Sequence, residues 1–178
     1  MFTSFLRRFI SIADAVSETL GKTIAWLTLL IVVLTFTIVL LRYGFNIGWI
    51  AMQEAVLYAH GAVFMLGAAY TLKHDGHVRV DIFYNKFSIK QKALVNLFGT
   101  LLLLMPVCIF IFYISIDYVL MSWDILEKSK EPGGIPAVYL NKSLILLLVI
   151  TLTFQGLSEI ARNILLLKGE NQKLAGDK

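Results

Sequence analysis

Several long runs of uncharged, mostly apolar residues limit what this chain can fold into, and the first extends from Thr23 to Leu41. About 20 apolar residues in a helix cross the roughly 30 Å hydrocarbon core of a bilayer. Backbone polar groups find no water there, so a helix, which bonds its own backbone, is the expected structure. Lys22 and Arg42 bracket the run, as charged side chains do where a helix leaves the membrane. The sequence therefore predicts a transmembrane span over 23–41.

The rest of the chain repeats this pattern. Of the 178 residues, 58% are hydrophobic and 16% are charged, whereas a soluble domain has about 25% charged residues. The short alternating segments of a β-barrel are absent from the sequence. A proline inside the third run, Pro106, is expected to kink its helix. We predict an all-α integral membrane protein, a single domain over 1–178, with further spans over 48–72, 93–121 and 136–157 and a polar tail over 169–178.

Residues 2–20 have the pattern of an amphipathic helix, with apolar side chains at three- and four-residue spacing and charged side chains on the other face. The apolar set is Phe2, Phe5, Leu6, Phe9, Ala13, Val16 and Leu20. The polar set includes Arg7, Arg8, Asp14 and Glu18. Because a span follows directly, we expect this helix to lie in the membrane interface. The alternative is a helix packed on a soluble partner.

Lysine and arginine residues are concentrated on alternate sides of the predicted spans. Most of them lie in the N-terminal segment, in the segment after the second span and at the C-terminal end, and these sides are expected to be cytoplasmic. Both termini should therefore lie in the cytoplasm. The side chains expected to anchor the chain at the membrane surface are Arg7, Arg8, Lys22, Arg42 and Arg79. The net charge of +4 is modest and the basic residues form no clustered face, so no nucleic-acid partner is expected.

Glu54 is a carboxylate inside the second predicted span, where an ionised group costs about 3 kcal/mol. It could be a proton or cation site. It could also be structural, because small and polar residues repeat beside it at the seven-residue spacing of a helix–helix contact. The candidates for a contact with another subunit are Gln53, Glu54, Tyr58, His60, Gly61, Gly67 and Ala68. We favour the structural interpretation, because no second acidic residue lies at matching depth.

The sequence predicts no cofactor, no metal and no catalytic residue, so the chain is expected not to be an enzyme. Haem ligation in a helical bundle would need a second membrane histidine beside His60, and His74 and His77 lie beyond the end of the span. No zinc-site spacing, nucleophile motif or phosphate loop is present. The alternation of apolar and charged residues over 77–84 predicts a short extended segment at the membrane surface.

Three segments resemble a known family in the same chain order. The matching residues are Gln53-Glu54 followed by Gly67-Ala68 and His77-Val78-Arg79-Val80-Asp81, then Glu131-Pro132-Gly133-Gly134-Ile135-Pro136 with Leu140-Asn141-Lys142-Ser143, and lastly Gln155-Gly156-Leu157-Ser158-Glu159-Ile160. They resemble the small membrane subunit (DctQ type, or Q subunit) of tripartite ATP-independent periplasmic (TRAP) transporters. The second and third segments are most similar to the branch for 2-oxo acids and other monocarboxylates.

This resemblance implies a division of labour among three proteins. A large (M) membrane subunit carries the substrate and sodium sites and moves as an elevator, and a soluble periplasmic substrate-binding protein delivers the substrate. The small subunit is then a multi-pass scaffold in the bilayer of the bacterial inner (cytoplasmic) membrane, serving sodium-coupled uptake of organic acids. Candidates for contact with the periplasmic protein are Trp123, Glu127, Gly133 and Gly134.

Two other classes of function stay open at this point. An autonomous small exporter or channel would use Glu54 for ion coupling and would transport as the purified chain alone. An enzyme or cytochrome subunit would need a cofactor. The scaffold is the leading hypothesis, because the chain has few membrane charges and lacks the internal repeat that many self-sufficient transporters have.

Overall fold

The computed structural model describes residues 2–78 and 81–169, and all regular structure in these residues is helical. The helices are α1 (Phe2–Phe45), α2 (Ile50–Lys73), α3 (Asp81–Tyr84), α4 (Ile89–Gly99), α5 (Met105–Asp124) and α6 (Val138–Leu167). A π-helical segment, Thr100–Leu104, joins α4 to α5. Four of the resulting rods are long and apolar enough to cross a membrane. The predicted all-α membrane fold is confirmed, and all but the first residue of the predicted tail over 169–178 lies outside the described part.

Helix α6 lies at the centre of the bundle and packs against α1, α2, α4 and α5, while α1 also packs along α2. The most continuously buried stretch of the described chain is the C-terminal half of α6, over 155–165. We call this side, which also holds the N-terminal half of α1, the terminal end of the bundle. The opposite side, with the start of α2 and the segment between α5 and α6, is the loop end.

The chain over 2–45 forms one helix of 44 residues, not a separate surface helix followed by a span. Ile10, Ala13 and Ser17 of its N-terminal half are buried, and Ile10 packs on Ala161 and Leu165 of α6. The predicted apolar face is therefore displaced. Its members Phe5 and Val16 are exposed, whereas Asp14, which was assigned to the polar face, points toward α6. The cause is a set of polar partners for Asp14 on α6, which is described below.

The third span extends without a break from Ile89 to Asp124. It begins with a capping box, in which the hydroxyl of Ser88 accepts from the backbone N–H of Gln91 and the Gln91 side chain accepts from the backbone N–H of Ser88. A π-helical turn, Thr100–Leu104, lies directly before Pro106, where a kink is expected. Such a turn bonds residue i to i+5, as Met105 N–H does to Thr100 O, so the ladder continues past a residue that has no N–H to donate.

The connection between α2 and α4 differs from the predicted extended segment over 77–84, because Asp81–Tyr84 forms a turn of helix. Tyr84 holds this turn against α4, since its hydroxyl and the amide of Asn96 exchange hydrogen bonds at 2.9 and 3.1 Å. The helical turn and the hydrogen bonds between Tyr84 and Asn96 therefore stabilise a helical conformation where the alternating pattern predicts an extended one. The anchor candidate Arg79 lies outside the described residues.

Candidate functional site

At the loop end, Glu54 binds the segment that connects α5 to α6. The backbone N–H of Ile135 donates to Oε2 of Glu54 at 2.6 Å, and the Ser129 hydroxyl donates to Oε1. Ser129 and Ile135 are themselves joined by a backbone hydrogen bond of 3.2 Å. Both carboxylate oxygens are therefore engaged within the chain, and Glu54 closes the loop around itself.

Two glycines allow this closure. A Cβ at Gly134 would lie 2.4 Å from Oγ of Ser129 and 2.8 Å from Oε2 of Glu54, closer than a real Cβ approaches either atom. Gly133 has a φ of +80°, a conformation that side chains with a Cβ rarely adopt. The two predicted loop residues thus shape the loop around the carboxylate.

A second carboxylate of the loop end, Glu127, ties the loop to the first turns of α6. Its Oε2 accepts from the ammonium of Lys142 and from the hydroxyl of Ser122, the latter at 2.6 Å. The Lys142 ammonium also lies 3.9 Å from the centroid of the Tyr118 ring, a cation–π contact. The hydrogen bond from Lys142, followed by that from Ser122, lowers the pKa of Glu127 below its usual 4.5.

Trp123 fixes the end of α5 against α6. Its indole N–H donates to the Ser143 hydroxyl at 2.8 Å, and its ring meets Tyr139 edge-on at 4.7 Å. The indole is nevertheless 43% exposed, and the following residues Ile125 and Leu126 are 72% and 55% exposed. The loop end therefore presents an apolar surface on a rigidly held backbone.

The small and polar stripe predicted on α2 is directed largely at helices of the same chain. A Cβ at Gly61 would lie 3.4 Å from the Asn141 side chain of α6, and one at Gly67 would lie 3.7 Å from Ile24 of α1. Gln53, Tyr58 and Ala68 are half-buried. The helix–helix contact inferred from the spacing exists, but its partners are α1, α6 and the loop.

His60 differs from the other members of the predicted set because it is exposed. It stands between Leu57 and Phe64, which are 65% and 74% exposed, at a spacing that places all three on one outward ridge of α2. Ala59 and Ala69 occupy the buried side of the helix. We call these three residues (Leu57, His60, Phe64) the outer ridge of α2. His60 is the member of the predicted contact set that lies on it, whereas Leu57 and Phe64 were not predicted.

At the terminal end, a buried polar network joins α1 to α6. Asp14 accepts from Arg162 at 2.6 Å and from the Gln155 amide at 3.0 Å, and the Ser17 hydroxyl donates to Gln155 at 2.7 Å. Ser158 also donates to Asp14, at 3.4 Å. No residue of this network was predicted as a site. The sequence does contain a pattern that could have indicated this network. Polar residues recur at three- and four-residue spacing on α6, opposite Asp14 and Ser17.

One turn further along α1, Glu18 gathers three basic groups. Lys73 and His74 at the end of α2 and Lys22 of α1 all lie within 3.0 Å of its carboxylate. This cluster fixes α1 to α2 beside Gly21, where a Cβ would lie 2.2 Å from the Tyr70 ring. Of the predicted surface anchors, Lys22 is thus also part of an ion cluster, and Arg7, Arg8 and Arg42 are exposed side chains.

Four rods of span length, tied together by polar clusters at both ends, define a multi-pass helical membrane protein. A family model described as tripartite ATP-independent periplasmic transporters, DctQ component, matches residues 31–166, so the chain belongs to this family. This confirms the resemblance drawn from the sequence. Members of this family are components of transporters, and the family is not an enzyme family. In TRAP transporters, the DctQ component works with a large M subunit and a periplasmic binding protein. Comparisons with curated proteins and with solved structures found no match.

Proposed function

We propose that this chain is the small scaffold subunit of a sodium-coupled, binding-protein-dependent transporter that imports organic acids across the bacterial inner membrane. It holds the fixed part of an elevator-type large subunit in place. Family membership supports the assembly. Within the described residues, the polar groups of the bundle serve mainly to lock helices to one another, which is what a scaffold requires.

The observation that carries this proposal is that both carboxylate oxygens of Glu54 accept hydrogen bonds from the chain itself. An ion-coupling carboxylate must exchange its ligands during each cycle, whereas both oxygens of Glu54 accept hydrogen bonds from a loop that glycines shape around them. Releasing Glu54 would dismantle the loop. This geometry favours a structural carboxylate and argues against an autonomous exporter that uses Glu54.

The outer ridge of α2 is our candidate for the contact with the large subunit. His60 lies near the middle of a 24-residue span-length helix and its side chain is exposed. A polar imidazole facing hydrocarbon is unfavourable, and membrane-embedded polar residues usually face protein. A partner helix that packs on Leu57 and Phe64 would remove His60 from lipid and could hydrogen-bond it.

The exposed surface of the loop end, with Trp123, Ile125 and Leu126, is our candidate for contact with the periplasmic protein. It combines apolar side chains with the exposed cations Lys128 and Lys130. Because Glu54 and Glu127 fix the loop beneath it, little conformational entropy would be lost on docking.

The test is co-purification of the tagged full-length chain with its neighbours from native membranes in mild detergent, followed by mass spectrometry. A stoichiometric polytopic partner is expected. Recovery of the chain alone, with ion flux in proteoliposomes that contain only this chain, would overturn the scaffold proposal.

The ridge is tested within the same experiment. His60→Leu and Phe64→Ala should lower partner recovery, while Phe110→Ala, an equally exposed change on α5, should leave it unchanged. All three residues are exposed in the isolated chain, so the variants should fold alike. Equal recovery from all three would remove the ridge from the interface.

The proposed orientation places both termini in the cytoplasm and the loop end in the periplasm, following the distribution of Lys and Arg. Cys108 is the sole cysteine, so a Cys108→Ser background accepts new reporter cysteines. In intact cells, a membrane-impermeant maleimide should label Lys128→Cys and spare Ser4→Cys. The reverse pattern would invert the topology.

A further inference from the structure

Leu126, which follows the end of α5, has a backbone conformation that leucine rarely adopts. Its φ is +44°, in the left-handed region, where a Cβ comes too close to the following carbonyl oxygen. The other non-glycine residues with a positive φ in the described part of the chain are Asn46 and Asp75, whose short polar side chains tolerate this region. Leu126 is therefore the strained residue of the three, and its strain requires an explanation.

The strain arises from the way in which α5 ends. The backbone N–H of Glu127 donates to the carbonyl of Ser122 at 3.0 Å, and that of Leu126 donates to the carbonyl of Trp123 at 3.1 Å. These two bonds define a Schellman motif, in which the residue at the position of Leu126 is left-handed and is usually glycine. The end of α5 therefore needs a left-handed residue at this position, but not a leucine.

Contacts of the next residue keep Leu126 in this conformation. The carboxylate of Glu127 accepts from the hydroxyl of Ser122 at 2.6 Å and from the ammonium of Lys142. The backbone carbonyl of Glu127 also accepts from the N–H of Val138 at 3.1 Å. A return of Leu126 to a negative φ would displace Glu127 from all of these partners. The conformation is thus imposed by the neighbours of Leu126.

The leucine side chain is mostly uncovered by the chain itself. It is 55% exposed, and Ile125 beside it is 72% exposed. The side-chain contact that often accompanies a Schellman motif joins the positions of Ser122 and Glu127, and here it is the hydrogen bond between these two residues. A glycine at position 126 would keep these contacts and remove the strain. An exposed apolar side chain on a strained backbone therefore points to a functional contact.

The surroundings of Leu126 indicate a partner that approaches from water and not from the hydrocarbon core. Exposed charged side chains flank it in the sequence, with Asp124 before it and Lys128 and Lys130 after it. Because charged side chains are costly inside hydrocarbon, this segment lies beyond the core of the bilayer. DctQ components work with a periplasmic binding protein, which is a partner on the aqueous side.

We propose that Leu126 is the anchor of the contact with the periplasmic protein, and that its side chain inserts into an apolar pocket of that partner. The left-handed backbone keeps the leucine exposed for this contact and lowers the stability of the isolated chain. The role of Leu126 rests on the proposed function, because it requires that the loop end meets the periplasmic protein. Stability and affinity then respond to a change at position 126 in opposite directions.

The experiment measures both quantities on variants of the full-length chain. The complex with the large subunit is placed in nanodiscs, and binding of the purified periplasmic protein of the same transporter is followed by biolayer interferometry. Leu126→Gly should raise the Tm of the chain in detergent by about 2–4 °C, because the strain is removed. The same variant should weaken binding about tenfold, the effect of losing one buried anchor side chain.

Three further variants separate the side chain from the flexibility of the backbone. Leu126→Asn tolerates the left-handed region without the freedom of glycine, and it should weaken binding as strongly as Leu126→Gly. Leu126→Met keeps an apolar side chain of similar volume and should retain most of the affinity. The matched control is Leu120→Ala, which removes a leucine of α5 that is 52% exposed within the span and should leave the affinity unchanged.

Three results would overturn the anchor. A lower Tm in Leu126→Gly would mean that the leucine stabilises the chain by packing within it. Unchanged affinity in this variant, while the wild-type complex binds the periplasmic protein, would remove the anchor and leave the proposed function intact. Photo-crosslinking from benzoylphenylalanine in place of Leu126 to lipid alone would place the side chain in the bilayer. If the wild-type complex does not bind the periplasmic protein at all, the proposed contact itself fails, and the anchor fails with it.

Discussion

The backbone N–H of Ile135 donates to the carboxylate of Glu54 at 2.6 Å, although the two residues are 81 positions apart in the sequence. The bond places the loop between α5 and α6 over the start of α2. It also means that the most conspicuous charged residue of the membrane spans has a partner on the chain itself.

Removing this acceptor should loosen the loop. Glu54→Ala leaves the Ser129 hydroxyl and the Ile135 N–H without their partner and should lower the free energy of unfolding by about 1–3 kcal/mol. Hydrogen exchange over 127–137 should accelerate in the same variant. Glu131→Gln, on the exposed side of the loop, is the control. Unchanged exchange in Glu54→Ala would mean that the loop is held by Glu127 alone.

The pair of Asp14 and Arg162 should behave as a buried ion pair, since their side chains are 21% and 10% exposed. Arg162→Met leaves Asp14 uncompensated and should cost about 3 kcal/mol of stability. The double variant Asp14→Leu/Arg162→Met should recover part of this loss, because Asp14 is no longer left uncompensated, although Glu159 still loses its contact with Arg162 at 3.4 Å. Thermal unfolding of the four proteins in one detergent gives the coupling energy directly. Additive losses would show that the two groups act independently.

The crossing of α6 with the third span depends on the absence of a side chain at Gly156. A Cβ there would lie 2.4 Å from Cε of Met105 and 3.0 Å from Cδ2 of Leu104. Gly156→Val should therefore destabilise the bundle by about 1–3 kcal/mol through overpacking. Met105→Ala, which removes the nearer atom, should restore part of this in the double variant. A Gly156→Val protein with the wild-type Tm would contradict the close crossing.

Acid should weaken the loop end through Glu127. Its pKa is lowered in the folded chain, mainly by the Lys142 ammonium, so ionised Glu127 stabilises the fold at pH values above its usual 4.5. That contribution is lost as the pH falls below 4.5 and through the lowered value. With Trp26 and Trp49 replaced by Phe, the fluorescence of Trp123 should report the change. Glu127→Gln should abolish this acid-induced step, whereas Glu131→Gln should keep it.

The spans were predictable because uncharged runs of sufficient length have few alternatives in a membrane. The bounds of α2 differ from the predicted 48–72 by one or two residues. The partners of Glu54 were not predictable in the same way, because Ser129 and Ile135 are distant in sequence and the bond to Ile135 uses a backbone group that any residue carries.

Asp14 shows a different limit. Periodicity assigns a charged residue to the solvent face, yet Asp14 faces α6 because Arg162 and Gln155 meet it there. A pattern on one helix does not reveal a complementary charge on another. The π-helical turn before Pro106 also lies beside Gly156 of α6, a tertiary contact that the local sequence around the proline does not contain.

Helix α1 has a mechanical consequence. Its 44 residues form a rod of about 66 Å at 1.5 Å per residue. The polar clusters at Asp14 and Glu18 hold this helix to α6 and α2 in its first half. A change in the tilt of α1 would therefore pivot near Glu18. A tilt of one degree there would move the tip at Phe45, about 40 Å away, by roughly 0.7 Å, so the contacts at the terminal end influence the position of the helix at the opposite membrane face.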